Sequence, residues 1–376
     1  MNYSAVGIIF SGKDKHTMKR LTSDRSVSAI PFACRYRLID FCLSNLVNAG
    51  VSHINIIANC NYRSLLEHIG SGKDWDLARR VGGINVISPY QTSRNISKGV
   101  YSTHLEALIN MKEYINEFKE EYVVLMDTDN VLNINLTDII SEHAESGADI
   151  TFVTKNVPYD FTSLTPRMMI SSVRGKITDI SVNTSYNPDN TEMSLNIFVM
   201  KVSELKKIIE KAEIYSETSM TSMLISNMKT SNYRTFSYDG YVASLSSFSD
   251  YYRCSMNLVN DDKARESLLG KRGLPILTRV HNSSPTVYLS GASVKNSMLA
   301  DECKIEGEII NSVIFRGVTV GRGAVVKNSV LFHGTTIGKN AQLNCIVTDK
   351  NVLISDGVIL SGNEKMPFYI EKGRRI

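Results

Sequence analysis

Several features that would commit a chain early are scarce here. Six cysteines (Cys34, Cys42, Cys60, Cys254, Cys303 and Cys345) are scattered through 376 residues with no C-x-x-C pair. That excludes a small disulfide-stapled scaffold and a thiolate zinc ribbon, and thiols buried in a reducing cytoplasm are expected. The apolar run near the start, Ala5 to Phe10, falls far short of the roughly 18 residues of a membrane span and has no basic leader. A soluble, cytoplasmic protein with no membrane partner is therefore expected. Charge of one sign is lacking too: 42 Lys and Arg stand against 38 Asp and Glu, net +4, without long like-charged runs. Nothing in that balance calls for a nucleic-acid partner. The histidines, His16, His53 and His104 among them, form no metal-like spacing.

What is present points to two domains, since single cores seldom exceed roughly 250 to 300 residues. Short β-rich runs at 5–10, 54–58, 84–88, 122–126 and 150–154 alternate with amphipathic stretches. In residues 102–120, Leu105, Leu108, Ile109 and Ile115 recur at roughly helical period. This rhythm predicts an α/β, Rossmann-like domain whose mixed, mostly parallel sheet is covered on both faces. In such sheets ligands bind beyond the strands' carboxyl ends, so the loops after Phe10 and Met126 are where chemistry is expected.

From about residue 285 the texture changes to β-branched steps separated by Gly, Asn and Ser. Val320, Ile337 and Ile354 are 17 residues apart, and the triplet Asn311, Ser312, Val313 recurs 17 residues later as Asn328, Ser329, Val330. That is the period of one coil of a parallel β-helix, in which inward aliphatics stack coil upon coil. A β-sandwich is the competing reading, weakened by the lack of regular hairpin turns. The expected division is an α/β domain at 1–240, a connecting helix and linker at 241–285, and a hexapeptide-repeat, left-handed β-helix at 286–376.

Three segments carry a more specific likeness: PFACRYRLIDFCLSNLVNAG (31–50), GKDWDLARRVGGINVISPYQ (72–91) and SLNIFVM (194–200). In order and spacing they resemble the signatures of the bacterial glucose-1-phosphate adenylyltransferase (ADP-glucose pyrophosphorylase) family. The likeness runs from about residue 5 to 362 and is greatest to the GlgD-type second subunit found beside a catalytic subunit. The family's reaction is attack of a glucose-1-phosphate oxygen on the α-phosphorus of ATP, releasing pyrophosphate without a covalent intermediate. It requires backbone amides, basic side chains and a divalent metal to screen phosphate charge.

Measured against that need, the chain departs at four places. Where the resemblance implies a glycine-rich loop with a catalytic Arg, residues 11–17 read SGKDKHT, keeping Gly12 but placing Thr17 at the Arg and adding Asp14. Of the two metal carboxylates the resemblance implies, Asp129 is present and Ser244 replaces the other, so the family's Mg²⁺ is expected to bind weakly at best. Asp127 is either a substitute ligand or a strand-end cap. The sugar-phosphate Glu and Lys positions fall at Val182, Asn183 and Thr184, and Val27 replaces a phosphate-facing Lys next to a retained Arg25. Gly12, Arg25, Gly99 and Asp129 remain as a residual nucleotide and sugar pocket. Arg37 and Asp40 are expected to form a buried or semi-buried pair, and Trp75 to serve packing.

The resemblance thus implies a catalytically deficient subunit that modulates a catalytic homologue in a mixed tetramer for glycogen biosynthesis. A self-assembled homo-oligomer is an alternative. A competent enzyme with a rebuilt loop, and a sensor of sugar phosphate or nucleotide effectors without turnover, are the competing functions. A β-helix acyltransferase would need His333, which reads instead as an exposed corner residue.

Overall fold

The computed structural model describes residues 3–12, 18–88, 101–158, 162–189, 191–270 and 273–376. Among these, nine strands form one twisted sheet: β1 (Ala5–Phe10), β2 (His53–Ile57), β3 (Gly83–Ile87), β4 (Tyr122–Asp127), β5 (Ile150–Asn156), β6 (Thr162–Val173), β7 (Lys176–Ser185), β8 (Glu192–Lys201) and β9 (Tyr233–Ser237). Their order is β3-β2-β1-β4-β8-β5-β9-β7-β6. The block β3-β2-β1-β4 is parallel, as is β5 with β9, and the remaining pairings are antiparallel. The parallel half consists of the short apolar runs evident in the sequence. The antiparallel half includes β7, whose exposed residues alternate irregularly with buried ones and hide the strand from a hydrophobicity reading.

Helices cover both faces. One face buries Leu105, Leu108, Leu205 and Ile209 from α2 (His104–Asn110) and α4 (Val202–Tyr215), while the other buries Ile39, Leu43, Ile139 and Ile140 from α1 (Leu38–Asn48) and α3 (Leu136–Ser146). Local chemistry sets the ends of these helices. Thr103 Oγ1 accepts from the Glu106 amide at 3.0 Å at the start of α2, Asn135 Oδ1 accepts from the Thr137 amide at 3.1 Å at the start of α3, and Gly147 at φ +63° ends α3. The helical period expected over 102–120 is broken at Met111, where α2 ends and a second short helix, Lys112–Asn116, begins.

Beyond α5 (Phe248–Asn260) and α6 (Asp262–Leu269), three five-stranded parallel sheets wrap into a left-handed β-helix. The repeat read from the sequence is its register: Val320 lies beside Ile337, and Ile337 beside Ile354. All three are buried in an aliphatic interior with Ile305, Val326 and Leu343. At one corner Asn296, Asn311 and Asn328 adopt φ of +41°, +47° and +47°, and their amides form a ladder, Asn311 Nδ2 donating to Asn328 Oδ1 at 2.6 Å. Asn tolerates the left-handed conformation better than other non-glycine residues, which explains why the triplet begins with it. The α/β domain and the β-helix share a core in which Phe32, Tyr251 and Leu258 pack with Val313, Phe315 and Phe332.

Candidate functional site

The carboxyl ends of β1 and β4 open onto a cleft, and Gly12 begins its floor. Its φ is +84°, and a Cβ built there would lie 2.7 Å from Val27 Cβ, so both the backbone conformation and the space demand glycine. Val27, in a single turn at Val27–Ala29, is 2 % exposed and points inward against Gly12, offering an incoming phosphate only hydrocarbon. Thr17 and Gly99, with Asp14 and His16, lie outside the described residues.

Beside Gly12 a cavity of about 20 Å³, lined by Phe10, Ser11, Asn59, Tyr101 and His104 among others, has room for little more than a water. The His104 ring stacks on Phe10, centroids 4.2 Å apart, and its Nε2 lies 3.3 Å from Asp127 Oδ2. Asp127 is thus turned toward an imidazole.

Across the cleft the polar residues converge on Asp129, which is 4 % exposed. Residues Ala243 and Ser244 pair antiparallel with Val131 and Asn130, and the Leu245 amide donates to the Asp129 carbonyl at 2.8 Å. This short antiparallel pairing sets Ser244 next to Asp129, with the Ser244 hydroxyl donating to Asn130 Oδ1 at 2.6 Å. The Asn130 amide in turn donates to Asp129 Oδ1 at 3.3 Å. From the other side, Arg167 on β6 brings Nη1 to 3.5 Å from Asp129 Oδ2 and donates from Nη2 to Ser246 Oγ. Asn183 is the cross-strand neighbour of Arg167, so the two side chains share a face, and the Asn183 amide donates to Ser181 Oγ at 2.9 Å. Ser244 thus lies beside Asp129, and Asn183 is linked to Asp129 only through Arg167. Sequence reasoning missed Arg167, whose signal was a lone Arg in the apolar stretch TPRMMI; a fully buried Arg is rare unless paired.

Arg25 points elsewhere. It is 3 % exposed, its Nη2 lies 2.6 Å from Asp349 Oδ1 on the β-helix, and its Nη1 donates to the Leu21 carbonyl. Asp349 also accepts from the Tyr369 hydroxyl at 2.6 Å. Burial raises the Asp349 carboxyl, but Arg25 and Tyr369 outweigh it and hold the group below the ordinary carboxylate value. The next residue, Lys350, is lowered to about 8 by burial and by the nearby Arg37 and Arg25 cations.

The expected Arg37 and Asp40 pair is corrected in its partners. Asp40 accepts from the Arg37 backbone amide at 2.9 Å, while its carboxylate binds His68 Nε2 at 2.6 Å and the Thr278 hydroxyl at 2.5 Å. The Arg37 guanidinium donates instead to the Ser64 carbonyl and hydroxyl. Trp75 is fully buried and meets the His68 ring edge-on. His333 is exposed at a corner, its Nδ1 2.9 Å from the Arg316 carbonyl.

An α/β domain with this cleft, followed by a β-helix, defines the nucleotidyltransferase class that carries a hexapeptide-repeat tail. Accordingly, a nucleotidyl transferase family profile matches residues 6–162, and a GlmU-like C-terminal hexapeptide profile matches residues 284–366. The chain is 33% identical over 376 residues to the glycogen biosynthesis protein GlgD of Bacillus subtilis, covering 99% of this chain and 97% of that relative. It is 30% identical over 331 residues to a glucose-1-phosphate adenylyltransferase of Thermotoga maritima (86% of this chain, 76% of the relative) and 27% identical over 327 residues to that of Mycoplasma mobile (86% and 84%). The chain belongs to the bacterial glucose-1-phosphate adenylyltransferase family, on the side of it that includes GlgD.

Proposed function

We propose that this chain is a subunit for glycogen biosynthesis that makes little or no ADP-glucose alone and modulates a catalytic homologue with which it assembles, in the cytoplasm, as a mixed tetramer. The observation that carries the reading is Ser244. At the position where the family likeness places the second metal carboxylate, a neutral hydroxyl is bonded to Asn130 beside Asp129. Val27 and Asn183 add to it, since neither can neutralise a phosphate. Pyrophosphate formation needs charge screening of the triphosphate and an in-line approach of the sugar phosphate. The described residues of this cleft supply little of the first. Among the described residues the sheet, its covering helices and the β-helix are all formed, and such a fold can bias a partner's conformations through an interface without chemistry of its own.

The test is pyrophosphate release from ATP and glucose-1-phosphate with Mg²⁺, by the chain alone, by a catalytic homologue alone, and by the two co-expressed. The expected result is a rate for the chain alone far below about 1 s⁻¹, and a changed rate or effector response for the pair. Turnover of the chain alone at about 1 s⁻¹ or above overturns the reading, as does a partner whose mass and kinetics ignore the chain.

A further inference from the structure

The cleft does not fit the divalent metal that its family implies. Magnesium asks for near-octahedral oxygen donors at about 2.0–2.1 Å, some of them water, anchored by one or two carboxylates. Asp129 is buried, with Arg167 Nη1 3.5 Å from one carboxylate oxygen and the Asn130 amide on the other. Asp127 is turned to His104, and Ser244 brings no charge. Among the described residues no three His, Cys, Asp or Glu side chains gather in a set that could hold a metal ion.

The guanidinium is built in. Arg167 is 6 % exposed, is fixed by Ser246 as well as by Asp129, and sits on a strand held in register through the pairing of Arg167 with Asn183. Its planar fork of donors neutralises a carboxylate without a hydration shell, which an Mg²⁺ ion gives up reluctantly. A metal ion bound to Asp129 would have to expel this cation or sit against it.

We infer that Arg167 is the resident cation of the cleft, taking the charge-neutralising place beside Asp129 and excluding divalent metal from it. The inference deepens the functional reading above but is tested separately, by metal uptake and not by turnover.

Mn²⁺ is the probe, followed by the loss of its free-ion electron paramagnetic resonance signal on titration into the full chain. The unmodified chain and Asp129→Asn are expected to give the same weak, non-stoichiometric uptake. Arg167→Gln combined with Ser244→Asp is expected to bind about one equivalent at least 10-fold more tightly than the unmodified chain, and adding Asp129→Asn to that variant should abolish the gain. Stoichiometric Mn²⁺ binding by the unmodified chain that Asp129→Asn removes overturns the inference. So does a folded Arg167→Gln, Ser244→Asp variant, with its unfolding transition intact, that gains no site. Should that variant fail to fold, the comparison of the unmodified chain with Asp129→Asn still decides the matter. Metal uptake without turnover would sink this inference and leave the functional proposal standing, whereas turnover without metal uptake would do the reverse.

Discussion

Two buried arginine–aspartate pairs among the described residues serve opposite ends. Arg25 and Asp349 join the α/β domain to the β-helix across 324 residues of chain at 2.6 Å, with Tyr369 completing the carboxylate's bonds. Arg167 and Asp129 lie 3.5 Å apart in the cleft, each with a neutral hydrogen-bonding neighbour to share the load. Both arginines are neutralised internally, one at the domain seam and one beside Asp129. The seam pair is the tighter, and a buried charge left without its partner is costly, so breaking the seam pair is expected to cost more than breaking the cleft pair.

The largest expected effect follows from that contrast. Arg25→Ala leaves Asp349 buried without a cation and should cost about 3–5 kcal/mol in urea unfolding. Arg25→Lys should recover only part of it, because an ammonium does not reproduce the fork. Arg167→Ala removes a longer contact whose carboxylate keeps the Asn130 amide, and about 1–3 kcal/mol is expected. If the cleft substitution costs more than the seam substitution, the ranking of the two pairs is wrong.

The sequence announced the seam poorly and the scaffold well. Ala5–Phe10 and Tyr122–Asp127 are nearly all buried and so declare themselves as apolar runs, and the 17-residue recurrence of Val320, Ile337 and Ile354 is the physical stacking of coils. Strand β7 was hidden because most of its residues are exposed and its burial pattern lacks a clean period of two. Ser244 and Asn183 were expected near Asp129 from the family likeness; Ser244 sits in the short antiparallel pairing with Asn130, while Asn183 is the cross-strand neighbour of Arg167, which reaches Asp129. Arg167 and Arg25 were not legible as ion pairs, since sheet order and domain packing choose their partners, 38 and 324 residues away. No local pattern encodes a contact of that range.

The smallest expected effect separates the two regions by pH. His143, 2 % exposed on α3, bonds Thr151 Oγ1 at 2.8 Å through Nδ1 and meets the Tyr122 ring edge-on. Burial, helped by Lys201 and opposed by Asp149, lowers its pKa to about 4. Because the folded value lies below the ordinary one near 6.5, the unfolded chain binds the proton more readily. The stability this neutral histidine preserves is complete above about pH 6.5 and is lost as pH falls toward 4. The seam behaves differently: the Asp349 value is depressed, so its contribution is present above the ordinary carboxylate value of 3.8 and is lost only at more acid pH. His143→Gln should therefore flatten unfolding stability between pH 6.5 and 4, while Asp349→Asn lowers stability throughout that window without changing the slope. A slope that moves with Asp349 and not with His143 would place the acid-sensitive element at the domain seam and reverse the comparison.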